Sequence, residues 1–229
     1  MVAFEDESTV AAFIQEQVSH PMACKHVGDR AIYQCHNDFG PVMKGLGNMI
    51  PQMTDFGLAQ RGDKLEPLIH PIQPDEFRAP EVLLGTGWFY SADIWNFDAM
   101  PGTGPYSPAQ HVADMIALIG PPNPVLKRRE RDMHHWRWSP AALNPRGQLS
   151  GTAAEFYGGP FFASDGTFVR VDLIPARRSL VNEVPQCILE ENHVDLFLEF
   201  MKKMLCWLPE ERATAGELLL DPWLNLSTT

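Results

Sequence analysis

Residues 77–95 read F-R-A-P-E-V-L-L-G-T-G-W-F-Y-S-A-D-I-W. Ala79–Leu84 reads as a short helix, with Gly85 placed just beyond its end, where a left-handed stop costs a glycine little. Ser91 then stands as a cap for a second helix over 91–98. Pro101-Gly102-Thr103-Gly104-Pro105 halts that helix, because proline removes a donor and clashes with the preceding turn. Two short helices joined by a tight glycine-bearing link therefore sit at the centre of the reading.

Outward from this stretch the chain is mostly helical. Residues 8–19 put Val10, Phe13, Ile14 and Val18 on one helical face, with Ser8 as a fair cap and Pro21 as the close. Residues 31–35 read as a short strand, and 41–52 form a Pro- and Gly-bearing loop leading to a short strand into Thr54. The clearest helix spans 108–119. Ser107 caps it, Pro108 takes the first helical position, Val112, Met115, Ile116 and Ile119 form the apolar stripe, and Gly120-Pro121-Pro122 ends it. Residues 127–180 are looser, and the basic run K-R-R-E-R at 127–131 reads as a solvated helix face. A further helix over 191–206 carries Val194, Phe197, Leu198, Met201 and Leu205 on one side. The last helix opens on Thr214-Ala215-Gly216-Glu217, a capping box, and ends near Asp221-Pro222. The expected class is mainly α, with about six helices and a few short strands.

Composition narrows the function. The 229 residues carry a formal charge of −11, which argues against a nucleic-acid binder and suits a partner rich in Arg or Lys. The same charge also serves simple solubility. Hydrophobic residues make up 45% of the chain, and 17 Gly with 20 Pro point to many loops. Cys24, Cys35, Cys187 and Cys206 form no C-x-x-C pair and no zinc-type spacing with histidine, as expected of free thiols in a reducing compartment. His134-His135 is an isolated pair, read as surface or loop rather than metal. No apolar run approaches the roughly 18 residues of a membrane span, and the start MVAFEDESTV has no basic region of the secretory type. A cytoplasmic or nuclear location is expected.

Four blocks in a fixed order carry a resemblance. They are Asp55-Phe56-Gly57, Phe77-Arg78-Ala79-Pro80-Glu81, Asp93-Ile94-Trp95 and Pro209-Glu210-Glu211-Arg212-Ala213-Thr214. Together they resemble the C-terminal lobe of a eukaryotic protein kinase. Phe77–Glu81 and Met115–Pro122 look like the CMGC group and its insert. Gly85-Thr86-Gly87-Trp88 and Leu205–Arg212 look most like fungal relatives of the SR-protein kinases, which phosphorylate serines in Arg/Ser-rich proteins. The likeness covers most of the chain and is only vague over 123–180.

What the resemblance implies can be given residue by residue. Asp55 would bind the Mg²⁺ that bridges the phosphates of ATP, Phe56 would pack under a helix of the small lobe, and Gly57 would let the backbone turn. Glu81 and Arg212 would form a buried ion pair tying the activation segment to the lobe. Asp93 would accept hydrogen bonds from the catalytic-loop backbone, with Trp95 packed nearby. Arg78 would shape the pocket beside the phosphoacceptor. Glu190, Glu191 and Asp195 form an acidic cluster that would dock basic peptides or simply face water. A second triplet, Asp38-Phe39-Gly40, is followed by Pro41 and reads as a turn.

Other groups that phosphoryl transfer needs are missing from these residues. No G-x-G-x-x-G-x-V and no V-A-I-K precede Asp55, and no H-R-D with a following Asn occurs. His36-Asn37-Asp38 is the nearest imitation. Met1–Phe4 resembles the strand after a catalytic loop, so the expectation is a truncated kinase domain without its N-terminal lobe and without a catalytic base. Its parts would be 1–51 (post-loop strand and insert), 52–87 (magnesium loop and activation segment) and 88–229 (helical lobe with the CMGC insert). The helix beginning at Asp93 is expected to be shorter than in the family, which would leave the lobe marginally stable. The expected function is Ser/Thr kinase by descent, dependent on ATP and Mg²⁺ and directed at basic Arg/Ser-rich proteins, with this chain inactive alone. The alternatives are a non-catalytic, pseudokinase-type module for Arg-rich partners, or an incomplete gene model of an active kinase.

Overall fold

A computed structural model describes residues 7–34, 39, 56–62, 65–95, 106–184 and 193–225. The chain divides into two compact units, Met1–Gly57 and Leu58–Thr229.

In the first unit, helix α1 spans Glu7–Ser19, and strands β1 (Cys24–Val27) and β2 (Arg30–Tyr33) form an antiparallel hairpin. Cys24 pairs with Tyr33 and Val27 with Arg30 across a Gly28-Asp29 turn. The reading of 31–35 as a strand found β2 but not its partner β1, whose four residues are all exposed and give no burial pattern. Ser8 lies inside α1 rather than at its cap. Val10 and Phe13 of the expected apolar face are half-buried, whereas Ile14 and Val18 are exposed. The Phe13 ring meets that of Phe39 at 4.6 Å between centroids.

The second unit is helical around one core. Among the described residues its helices are α2 (Pro80–Leu83), α3 (Ser91–Trp95), α4 (Pro108–Ile119), α5 (Pro124–Met133), α6 (Ala153–Tyr157), α7 (Val194–Met204) and α8 (Ala215–Leu219). A two-strand ladder of β3 (Ala142–Leu143) and β4 (Leu149–Ser150) precedes α6. Among the described residues no helix is long and apolar enough to cross a membrane. Trp95, Val112, Ala113, Met115 and Leu126 are fully buried, and Leu83, Phe161, Met204 and Trp207 pack in the same cluster. Each of the Val, Leu, Met and Phe side chains among them is worth roughly 1.5–3 kcal/mol of burial.

Local signals explain the ends of α4. Ser107 Oγ accepts from the Gln110 N–H, Pro108 opens the helix, and Gly120 closes it at φ +81° while donating to Ile116 O. Trp207 Nε1 then donates to Gly120 O at 3.0 Å, which fastens the end of α4 to the turn after α7. α5 begins by the same rules at Asn123 and Pro124. It bears out the helix expected over 127–131, whose basic residues are not buried, and differs from a wholly solvated face at Glu130. Lys127 Nζ donates to Gly166 O, Arg129 forks onto both oxygens of Glu210, and Glu130 is 4% exposed. Only Arg128 and Arg131 of the run are exposed.

α8 carries the capping box. Thr214 Oγ1 accepts from the Glu217 N–H at 3.2 Å, and Glu217 Oε2 accepts from the Thr214 N–H at 2.7 Å. Thr214→Ala is expected to lower the stability of the chain by about 0.5–2 kcal/mol, measured by urea unfolding. The expected shortening after Asp93 falls on 96–105, outside the described residues.

Candidate functional site

The segment from Gln73 to Trp95 is where the resemblance concentrates its residues, and the fold holds it from three sides. Gln73 is buried with φ +67°, a conformation that costs a non-glycine residue about 1–3 kcal/mol. Its side chain offsets that cost by bridging two elements. Nε2 donates to Ala92 O at 2.9 Å, at the start of α3, and Oε1 accepts from the Ala79 N–H at 2.9 Å, at the start of α2. Leu68 and Trp88 pair in both directions by backbone hydrogen bonds of 3.0 and 2.8 Å, and the Trp88 indole donates to His70 O. Gly85 ends α2 at φ +63°, and a Cβ there would meet the Ala153 Cβ at 2.5 Å, so only glycine lets α6 approach so closely.

Glu81 and Arg212 meet in the interior, both side chains fully buried. Arg212 Nη1 donates to Glu81 Oε1 at 2.6 Å, and Nη2 donates to Oε2 at 2.5 Å. Nη1 also donates to Ser91 O at 3.0 Å, and Nε donates to Cys206 O at 3.1 Å. The guanidinium lies over the Trp95 ring, 5.0 Å from its centroid. One cation thus ties α2, α3 and the turn after α7 together, and its donors are spent on anion and carbonyls.

Arg78 lies two residues before α2 and faces a different space. Its Nη1 pairs with Asp75 Oδ1 at 2.5 Å, and its Cζ sits 5.4 Å from the Tyr106 ring and 5.2 Å from the Tyr157 ring. Arg78 Nε and the Tyr157 hydroxyl are buried without a hydrogen-bond partner. Tyr106 exchanges a hydrogen bond with His111 Nδ1 at 3.2 Å. Burial pushes the Tyr106 hydroxyl up to about 12. Burial, with the charges of Arg78 and Arg178, pulls His111 down to about 4, so the imidazole is neutral at pH 7. Asp75, Arg78, Tyr106, Asn144, Arg146 and Tyr157 line a cleft of about 350 Å³. Asn144 Oδ1 accepts from the N–H groups of Arg146 and Gln148, which shapes the loop on the cleft's far wall.

Glu81, Trp95 and Arg212 are thus brought together, and Arg78 stands at the neighbouring cleft. Asp93 is on α3 with its side chain exposed, and partial burial of its carboxyl raises its pKa. Asp55, Glu190 and Glu191 lie outside the described residues. Phe56 and Gly57 form the start of a 3-10 turn over Phe56–Leu58, with the Phe56 side chain 64% exposed. Asp195 is exposed in the first turn of α7. His134 and His135 are exposed neighbours at the end of α5, their ring centroids 5.5 Å apart. Sequence reasoning did not find Gln73, Tyr106, His111 or Tyr157. Tyr106 stands next to the capping signal Ser107-Pro108, but nothing in that signal marks a cleft.

No family model matches the chain. A serine/threonine protein kinase of Aspergillus fumigatus is 33% identical over 250 residues, spanning 97% of this chain and 52% of that protein. Mouse dual specificity tyrosine-phosphorylation-regulated kinase 3 is 29% identical over 84% of this chain and 33% of its own length. The human dual specificity protein kinase CLK2 is 26% identical over 75% of this chain and 31% of its own. A solved kinase domain overlaps 65% of the chain at 21% identity with a TM-score of 0.37. Over most of its length the chain is thus similar in sequence to serine/threonine and CMGC-type dual-specificity protein kinases. It spans about half the length of the Aspergillus relatives and about a third of the mammalian ones.

Kinases of this family work with ATP and Mg²⁺. The one magnesium ligand that the resemblance assigns, Asp55, is outside the described residues, and among those described no group of three His, Cys, Asp or Glu could hold a metal ion.

Proposed function

We propose that this chain is the substrate-facing helical lobe of a serine/threonine kinase, that it holds a basic serine-bearing peptide beside Arg78, and that alone it binds without transferring phosphate. The observation that carries the reading is the double anchoring of segment 73–81. Gln73 fastens one end, the Glu81–Arg212 pair fastens the other, and Arg78 between them is stacked on two tyrosines over the cleft. A segment so fixed can align an extended chain without losing order on binding. The cleft volume lies within the roughly 300–1,000 Å³ of ligand pockets.

Charge and resemblance support this substrate class, although Arg78 and Arg146 also line the cleft. Asp75 and Glu155 place carboxylates on the cleft, and the net charge of −11 steers cations toward the chain. The likeness to SR-protein kinases points to Arg/Ser-rich proteins of the nucleus or cytoplasm. Turnover would need the nucleotide clamp and catalytic base, and the 229 residues contain neither motif.

Binding tests the first half of the proposal. A fluorescent Arg/Ser peptide is expected to bind the purified chain, with affinity falling as salt rises. Asp75→Asn is expected to weaken it about tenfold, near 1.4 kcal/mol, by removing a carboxylate and leaving Arg78 uncompensated. Equal binding of a peptide with Gln in place of every Arg, or no binding at low salt, would sink the idea.

A further inference from the structure

Glu130 is a buried carboxylic acid with no cation against it. It projects from α5 and is 4% exposed. Oε1 accepts from the Phe161 N–H at 3.0 Å, while Oε2 is buried without any partner. It lines a cavity of about 20 Å³ shared with Leu83, Leu84 and Gly85 at the end of α2, Ala153 of α6, and segment 159–161. Of the side chains lining that cavity only Glu130 and His134 can titrate. α6 and the 159–161 segment offer no charged group there, and on α2 the carboxylate of Glu81 is already spent on Arg212. Arg131 and His134, which follow on the same stretch and act on this carboxyl from outside, are exposed.

A carboxylate in this position has one oxygen bonded to the Phe161 amide and the other buried without a partner. The neutral acid keeps the bond to Phe161 and puts no charge there. We propose that Glu130 is a proton-controlled fastener. Protonated, it holds α5 and the 159–161 segment against the back of α2. Ionised, it loosens that seam behind the helix that carries Glu81. The proposal does not depend on which peptide the neighbouring cleft holds.

Burial lifts this carboxyl from 4.5 to about 7, against a smaller lowering by the Phe161 amide. The sign follows from a folded pKa above the unfolded one: the stabilisation is full below about 4.5 and is lost as pH rises through about 7. His111, pulled down to about 4, acts the other way, costing stability as pH falls below its ordinary value of 6.5. The difference between wild type and Glu130→Gln removes that contribution, because His111 is common to both.

The test is urea unfolding of the full chain between pH 4.5 and 8 for wild type and Glu130→Gln. Relative to the variant, the wild-type folding constant is expected to fall by up to about two orders of magnitude as pH rises, then level off. The protection factor of the Phe161 amide, taken by mass spectrometry against the intrinsic exchange rate at each pH, is expected to fall over the same range in wild type only. Parallel curves for the two proteins would overturn the proposal. If Glu130→Gln does not fold, carboxyl infrared spectra of ¹³C-Glu-labelled wild type decide. A protonated glutamic acid that persists at pH 6 is the expected result, and full ionisation of all glutamates by that pH overturns it.

Discussion

Arg212→Ala is expected to lower the unfolding free energy by about 3–5 kcal/mol, because it leaves the Glu81 carboxylate buried and unpaired. Domains of this size are stable by only about 5–15 kcal/mol, so the variant approaches the edge of folding. At roughly 2–4 °C per kcal/mol, its melting temperature should fall by about 6–20 °C. Glu81→Ala should cost a similar amount, since it strands a guanidinium whose side chain is fully buried. A double replacement with leucines should be milder than either single change, as apolar side chains can fill the site without an orphaned charge. Thermal unfolding by circular dichroism checks all three. If Arg212→Ala melts with wild type, the pair does not fasten α2 to the lobe.

Trp95→Ala is the second large expected effect. The side chain is fully buried, and the Arg212 guanidinium rests on its ring. Deleting it should cost about 3–5 kcal/mol through lost burial and the cavity left behind. Its loss should not add to that of Arg212→Ala, because the two side chains touch. A double-mutant cycle is expected to return a coupling of about 0.5–3 kcal/mol, read from urea unfolding of the four proteins. Additivity within about 0.3 kcal/mol would mean that the indole packs without supporting the ion pair.

Legibility followed locality. The ends of α4 and the capping box of α8 could be read because Ser107-Pro108, Gly120 and Thr214–Glu217 act within one turn of chain. Asn123-Pro124 carries the same kind of signal for α5, but the polar run 127–131 masked it, since a helix with so narrow an apolar stripe looks solvated. β1 was missed because a fully exposed four-residue strand shows no alternation. The Glu81–Arg212 pair spans 131 positions, and no spacing rule reaches that far. Family resemblance alone brought those two residues together on paper. Gln73 could not be found by pattern, because a buried glutamine at positive φ runs against the turn preferences that sequence reading relies on. Tyr106, Tyr157 and His111 belong to a cleft assembled from loops, where side-chain identity follows three-dimensional packing rather than period.

The same contrast sets packing apart from chemistry. Glu81 and Arg212, which tie the lobe together, are geometrically joined, whereas the G-x-G-x-x-G-x-V, V-A-I-K and H-R-D motifs do not occur in these 229 residues. The most direct measurement is transfer of label from radiolabelled ATP, with Mg²⁺, to an Arg/Ser peptide by the purified chain. Incorporation no higher than in chain-free controls is the expected result. Magnesium-dependent incorporation that disappears in Asp55→Ala would contradict the account.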